Sequence, residues 1–167
     1  MYDVNLLTSN GVDVAKALEL FGDMDMYNST LNDFIKEIYN RLERIKKFKE
    51  ISDMANYAIE VHALKSDSKY FGFTKLAELA FNHEMESKKN NMFYIMDHYD
   101  ELMTEAKRIV VLIEKYMGIE SSGIKQEEVV DNSNVILKDK TILVVDDSNV
   151  TRNFVQKIFS SQYNCLV

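Results

Sequence analysis

The chain has 167 residues, 46% of them hydrophobic, and a formal net charge of −7 at pH 7. That length holds one domain, or one domain and a piece of another, and the acidic balance argues against nucleic acid as a general partner. No run is apolar for long enough to insert in a membrane, the start MYDVNLLTSNGVDV lacks the basic region of a signal peptide, and the lone Cys165 rules out an internal disulfide and the paired-cysteine metal motifs, so a reducing, cytoplasmic location is expected.

The chain has no proline and only five glycines, which permits long uninterrupted helices. Asp13 to Leu20 reads as a short amphipathic helix with Val14, Ala17, Leu18 and Leu20 apolar. From about Met26 to Phe48, Leu31, Phe34, Ile35, Ile38, Leu42 and Ile45 recur at steps of three and four, which predicts a long helix with one apolar face. Ser52 suits the N-cap of a helix running to about Phe71, and Gly72 suits the left-handed position after its end. Thr74 can cap the next helix, with Leu76, Leu79, Ala80 and His83 inward. Asn90 or Asn91 can cap the last, where Met92, Met96, Tyr99, Met103, Ala106, Val110 and Ile113 form a stripe. Residues 1–117 are therefore expected to be mainly α, an antiparallel four-helix bundle with a short N-terminal helix.

The character changes after Gly118. Residues 118–139 hold polar clusters without a helical stripe and read as a linker. In residues 140–167, Ile142 to Val145 is a short apolar run like a buried strand. Ser148 to Ser160 has helical spacing, and Tyr163 to Val167 can begin a second strand. That is the β-α-β start of a doubly wound parallel α/β fold.

The stretch VHALKSDSKYFGF, Val61 to Phe73, carries the chemistry. On a helical wheel the core side is set by Met54, Tyr57, Val61, Leu64 and Ser68, and His62 points roughly 130° away from it. The positions one and two turns away are Ala58, Ile59, Lys65, Ser66 and Lys69, with no carboxylate among them. Small residues admit a partner, lysines attract an anion, and imidazole titrates near neutrality, so it is a competent nucleophile there. His83 reads as an inward, hydrogen-bonded histidine, His98 as part of a solvated acidic face, and the basic run Arg44 to Lys49 as a solvated helix end.

VHALKSDSKYFGF resembles the active-site helix of histidine-containing phosphotransfer (HPt) domains, whose pattern runs His-x-Leu-Lys-Gly with a later glycine. His62, Leu64, Lys65 and Gly72 match, and Ser66 departs from the usual glycine. The likeness spans roughly residues 10–117 and implies that His62 accepts and donates phosphate and that Lys65 helps hold it. Lys69 is added on helical spacing. Ala58, Ile59, Ser66 and Gly72 are the expected docking surface, and the bundle itself needs no cofactor. KTILVVDDSNVTR resembles the start of response-regulator receiver domains. Asp146 and Asp147 follow its strand, where hard oxygen ligands hold Mg²⁺ in a complete receiver. The phosphoacceptor aspartate that such domains carry later is not reached by Val167, so this portion is expected to be an incomplete receiver from a longer protein.

The implied function is a phosphorelay module that takes phosphate from a receiver's aspartyl phosphate onto His62 and passes it to another receiver. It would lack kinase activity of its own, since no P-loop or kinase glycine loop occurs. Receiver domains of response regulators or hybrid kinases are the expected partners. Alternatives are the phosphate-accepting domain of a chemotaxis-type histidine kinase, a receiver-docking bundle without transfer, and a metal-binding bundle using His83 or His98.

Overall fold

The computed structural model describes residues 2–119, 141–143, 159 and 163–166. The chain divides into two compact units, Met1–Ser122 and Gly123–Val167, and the division falls inside the stretch expected to be a linker.

The first unit is helical and bundle-like. It contains α1 (Val4–Ser9), α2 (Val14–Phe21), α3 (Met24–Glu50), α4 (Met54–Tyr70), α5 (Thr74–Lys88) and α6 (Met92–Met117). The four longer helices pack in a closed circuit, α3 on α4, α4 on α5, α5 on α6 and α6 on α3, with the α4–α5 pairing the most extensive. Helix α1 lies on α6 and α2, and α2 lies on α3 and α4. No described helix is long and apolar enough to cross a membrane.

Short polar side chains start five of these helices, Asp3 among them at the head of α1. Asp13, Asp23, Asp53 and Asn91 each accept a hydrogen bond from the backbone N–H three residues on, at 2.9–3.2 Å. Each satisfies a donor that the first helical turn leaves unpaired. Two expected caps are corrected. Ser52 lies before the cap at φ 58°, and Asp53 takes the role. Thr74 is the first helical residue of α5, behind Phe73, which makes no side-chain cap bond but is buried in the core. The short helix α1 escapes sequence reading because it contributes a single buried residue, Leu7, too little to make a periodic signal.

The α3 stripe lies inside as its spacing predicts, from Leu31 to Ile45, with Tyr27 added. In α6 the expected Tyr99, Ala106, Val110 and Ile113 are buried, and the inward face is wider than the expected stripe. Ile95, Leu102 and Ile109 are enclosed, whereas Met92, Met96 and Met103 are half-buried. The run Arg44 to Lys49 is less solvated than expected. Arg44 pairs with Glu60 and Glu37, each at 2.8 Å, Ile45 is in the core, and the Lys49 ammonium lies 4.1 Å from the centre of the Tyr99 ring.

The turn between α4 and α5 is built into the core. Phe71 joins Phe21, Tyr27, Phe34 and Phe73 in an aromatic cluster, and the Tyr27 hydroxyl donates to the Phe71 carbonyl at 3.2 Å. Gly72 has φ 77°, and its carbonyl accepts from the Asp13 N–H at 2.9 Å. A Cβ at Gly72 would lie 2.3 Å from the Asp13 carbonyl oxygen. Glycine is required here by the left-handed backbone and by the contact with α2.

In the second unit, β1 (Thr141–Leu143) pairs in parallel with β2 (Asn164–Leu166), Ile142 opposite Cys165. Leu143 and Leu166 are exposed. Asp146, Asp147 and nearly all of the stretch Ser148 to Ser160 lie outside the described residues.

Gly72→Ala is expected to destabilise the helical unit by at least about 2 kcal/mol in urea unfolding, because strain and a backbone clash coincide. A change within experimental error would show that the α2–turn contact yields easily.

Candidate functional site

Helices α4 and α5 meet along a face where three cationic or basic groups surround one carboxylate. His62 lies on α4 with its side chain 56% exposed, as its helical position predicts. Opposite it on α5, the Glu84 side chain is only 4% exposed. Glu84 Oε1 is 2.8 Å from His62 Nδ1, and Glu84 Oε2 accepts from the Lys65 ammonium at 2.6 Å. Lys88, one turn further along α5, also donates to Oε1.

Burial pushes the Glu84 carboxyl upward, but the hydrogen bonds from Lys65, Lys88 and His62 outweigh it and hold the group down at about 2. Glu84 is therefore a carboxylate at neutral pH and can only accept. The hydrogen on the neutral His62 ring must then sit on Nδ1 and point at Glu84. The Lys65 ammonium, 3.3 Å from the same nitrogen, cannot donate to it and is engaged by Oε2. What remains is Nε2, with its lone pair and no partner among the described residues.

His62 borders an open hollow of about 560 Å³, with Met54, Ala58, Ile59, Ser87 and Lys88 along it. Ala58 is buried and Ile59 stands exposed. The Ser66 hydroxyl is turned back onto the His62 carbonyl at 3.0 Å. The structure thus brings His62, Lys65, Ala58 and Ile59 together. Lys69 and Gly72 line a different hollow.

Sequence reasoning found no carboxylate beside His62 because it considered α4 alone. Glu84 and Lys88 come from the facing helix. A signal was available: Glu84 follows Ala80 by four residues, so it falls on the inward stripe of α5, where a charge needs partners.

The other two histidines are otherwise occupied. His83 is fully buried. Its Nδ1 accepts from the Tyr57 hydroxyl at 2.7 Å, and its Nε2–H donates to the His98 carbonyl at 3.2 Å. Burial lowers its pKa to about 4, which agrees with a ring that uses one nitrogen as acceptor. His98 Nδ1–H donates to the Tyr94 carbonyl at 3.1 Å, and the ring stacks on Tyr94 with centroids 4.0 Å apart. No group of three or more His, Cys, Asp or Glu among the described residues is arranged to hold a metal ion. Both nitrogens of His83 are committed, which removes it as a ligand.

Comparison with family models, with curated proteins and with solved structures gave no match.

His83 makes stability depend on pH. An unfolded imidazole takes a proton near 6.5, the folded one only near 4, so between those values the unfolded chain binds more protons and stability falls as pH falls. The loss from pH 7.5 to 5 is expected to be about 2 kcal/mol, read by urea unfolding at each pH. His83→Gln, which keeps a donor and an acceptor, should flatten that interval. An unchanged slope would assign it to other groups. Glu84 acts lower: its stabilisation is complete above about 4.5 and is lost as pH falls toward 2.

Proposed function

We propose that the helical unit is a histidine phosphotransfer module, an antiparallel four-helix bundle of α3 to α6 that carries phosphate on His62. The observation that carries this reading is the exposed ring of His62 held through Nδ1 by a buried carboxylate, which leaves Nε2 as a fixed, outward nucleophile. A histidine kept for packing would not need its tautomer set at the surface.

In the proposed reaction the Nε2 lone pair attacks the phosphorus of a receiver's aspartyl phosphate. The Nε2–P bond forms as the bond from phosphorus to the aspartyl oxygen breaks, and the aspartate leaves as a carboxylate. The ring gains positive charge while Nδ1 keeps its hydrogen and donates it to the Glu84 carboxylate, whose negative charge offsets the ring's. The lysines Lys65 and Lys88 lie beside the site and favour the incoming anion. Transfer onward reverses these steps toward a second receiver. Receiver domains of response regulators or hybrid kinases are the partners of this reading. Mg²⁺ belongs to the receiver rather than to the bundle, and the cytoplasm is the compartment. The open hollow beside Ala58 and Ile59 would admit the receiver's surface. The segment with Asp146 and Asp147 is, on the same reading, the start of a receiver.

The test is phosphotransfer to the full chain from a phosphorylated receiver, followed by intact mass. One acid-labile phosphate on the parent and none on His62→Gln is expected. Glu84→Gln should slow transfer at least about tenfold, because an amide that donates to Nδ1 selects the tautomer with Nε2 protonated. A phosphate retained by His62→Gln would remove the proposal. No transfer from any of several receivers would leave a docking bundle.

A further inference from the structure

A second hollow, of about 510 Å³, lies between α2, α4 and α5 and shares no residue with the one beside His62. Its wall is mostly apolar, with Leu20 of α2, Tyr70 of α4 and Phe81 of α5 all exposed. Three large apolar side chains left in water around one depression form a surface that a ligand can cover.

Lys16 and Lys69 line the same hollow, and neither ammonium has a carboxylate partner among the described residues. Lys16 and Lys69, like Lys46, Lys47 and Lys107, are in no ion pair among the described residues, so their charge is open to an anion. Glu78 also lines the hollow. Two lysines against one glutamate leave a single positive charge in excess. Ser68 forms part of the lining, is fully buried, and its hydroxyl has no hydrogen-bond partner.

From the apolar wall and the single excess positive charge we propose that this hollow binds a small amphipathic monoanion, an apolar chain or ring ending in a carboxylate. The apolar part covers Leu20, Tyr70 and Phe81, and the carboxylate lies with Lys16 and Lys69. Glu78 disfavours a multiply charged head group by repulsion. The site stands whether or not His62 carries phosphate.

The chain has no tryptophan, so Phe81→Trp places a single fluorescent reporter in the hollow. Titration with hexanoate, octanoate and decanoate, each below its micelle threshold, should give saturable emission changes. Affinity should tighten along the series by up to about fourfold per methylene. Octanol should bind more weakly than octanoate. Adding Lys16→Ala and Lys69→Ala should weaken octanoate at least fivefold, whereas Lys46→Ala with Lys47→Ala, on the exposed side of α3, should not. Calorimetry with octanoate on the unsubstituted chain controls for the reporter. No saturation in either measurement, or equal affinity after loss of Lys16 and Lys69, would overturn the proposal.

Discussion

Glu84 carries a full negative charge in a side chain that is almost wholly enclosed, and a carboxylate in that position is tolerable only with hydrogen-bonded partners. The requirement organises the α4–α5 face. It draws Lys65 down until its side chain is only 15% exposed, it holds Lys88 across one helical turn, and it takes the Nδ1–H of His62. Three donors around one acceptor group hold its pKa at about 2, so the arrangement keeps its charge through the physiological range. The same need gives an exposed histidine a hydrogen-bond partner on the facing helix. An imidazole at a helix surface ordinarily turns about its side-chain bonds, whereas this one is tied at one nitrogen and open at the other.

His62 and His83 show how partner choice sets chemical character. His83 meets a phenol that donates and a carbonyl that accepts, both neutral, and burial then disfavours its charged form. Its nitrogens are both used and its ring is enclosed. His62 meets a carboxylate, which can compensate a positive ring, and keeps the second nitrogen free. Of the two environments, only the second leaves a ring nitrogen open and supplies a charge that can balance a cationic ring.

Much of the helical unit was legible because its signals are local. The α3 stripe repeats over many turns, and Gly72 sits where a helix must stop. The outward direction of His62 followed from the positions of Val61 and Leu64 on the same helix. Cap positions were less legible, since Ser52 and Asp53 are both good cap residues and only the left-handed backbone at Ser52 separates them. The α6 stripe was legible at Tyr99, Ala106, Val110 and Ile113, and its methionines were overestimated for a related reason. Methionine and isoleucine are both apolar, and which line faces inward depends on α3 and α5 rather than on α6. Glu84 was invisible beside His62 because the contact joins two helices, and it is made across space at a separation of twenty-two residues.

That contact is set from a distance by the turn between α4 and α5. His62 lies roughly 14 Å along α4 before Phe71, and Glu84 lies roughly 16 Å along α5 after Phe73, at 1.5 Å per residue. The two side chains therefore face each other at nearly the same height above the turn. Over such a lever, a change of about 5° in the angle between the helices would shift one side chain by about 1 Å against the other, enough to break a 2.8 Å hydrogen bond. Resistance to that change comes from the base. Phe71 and Phe73 are buried among Phe21, Tyr27 and Phe34, and Gly72 is pressed on the backbone of Asp13. The short helix α2 thus has a role at the site although no residue of it touches His62. It closes the base of the α4–α5 hairpin, and the aromatic cluster makes that base stiff. The precision of the His62–Glu84 pair rests on packing at the opposite end of two helices.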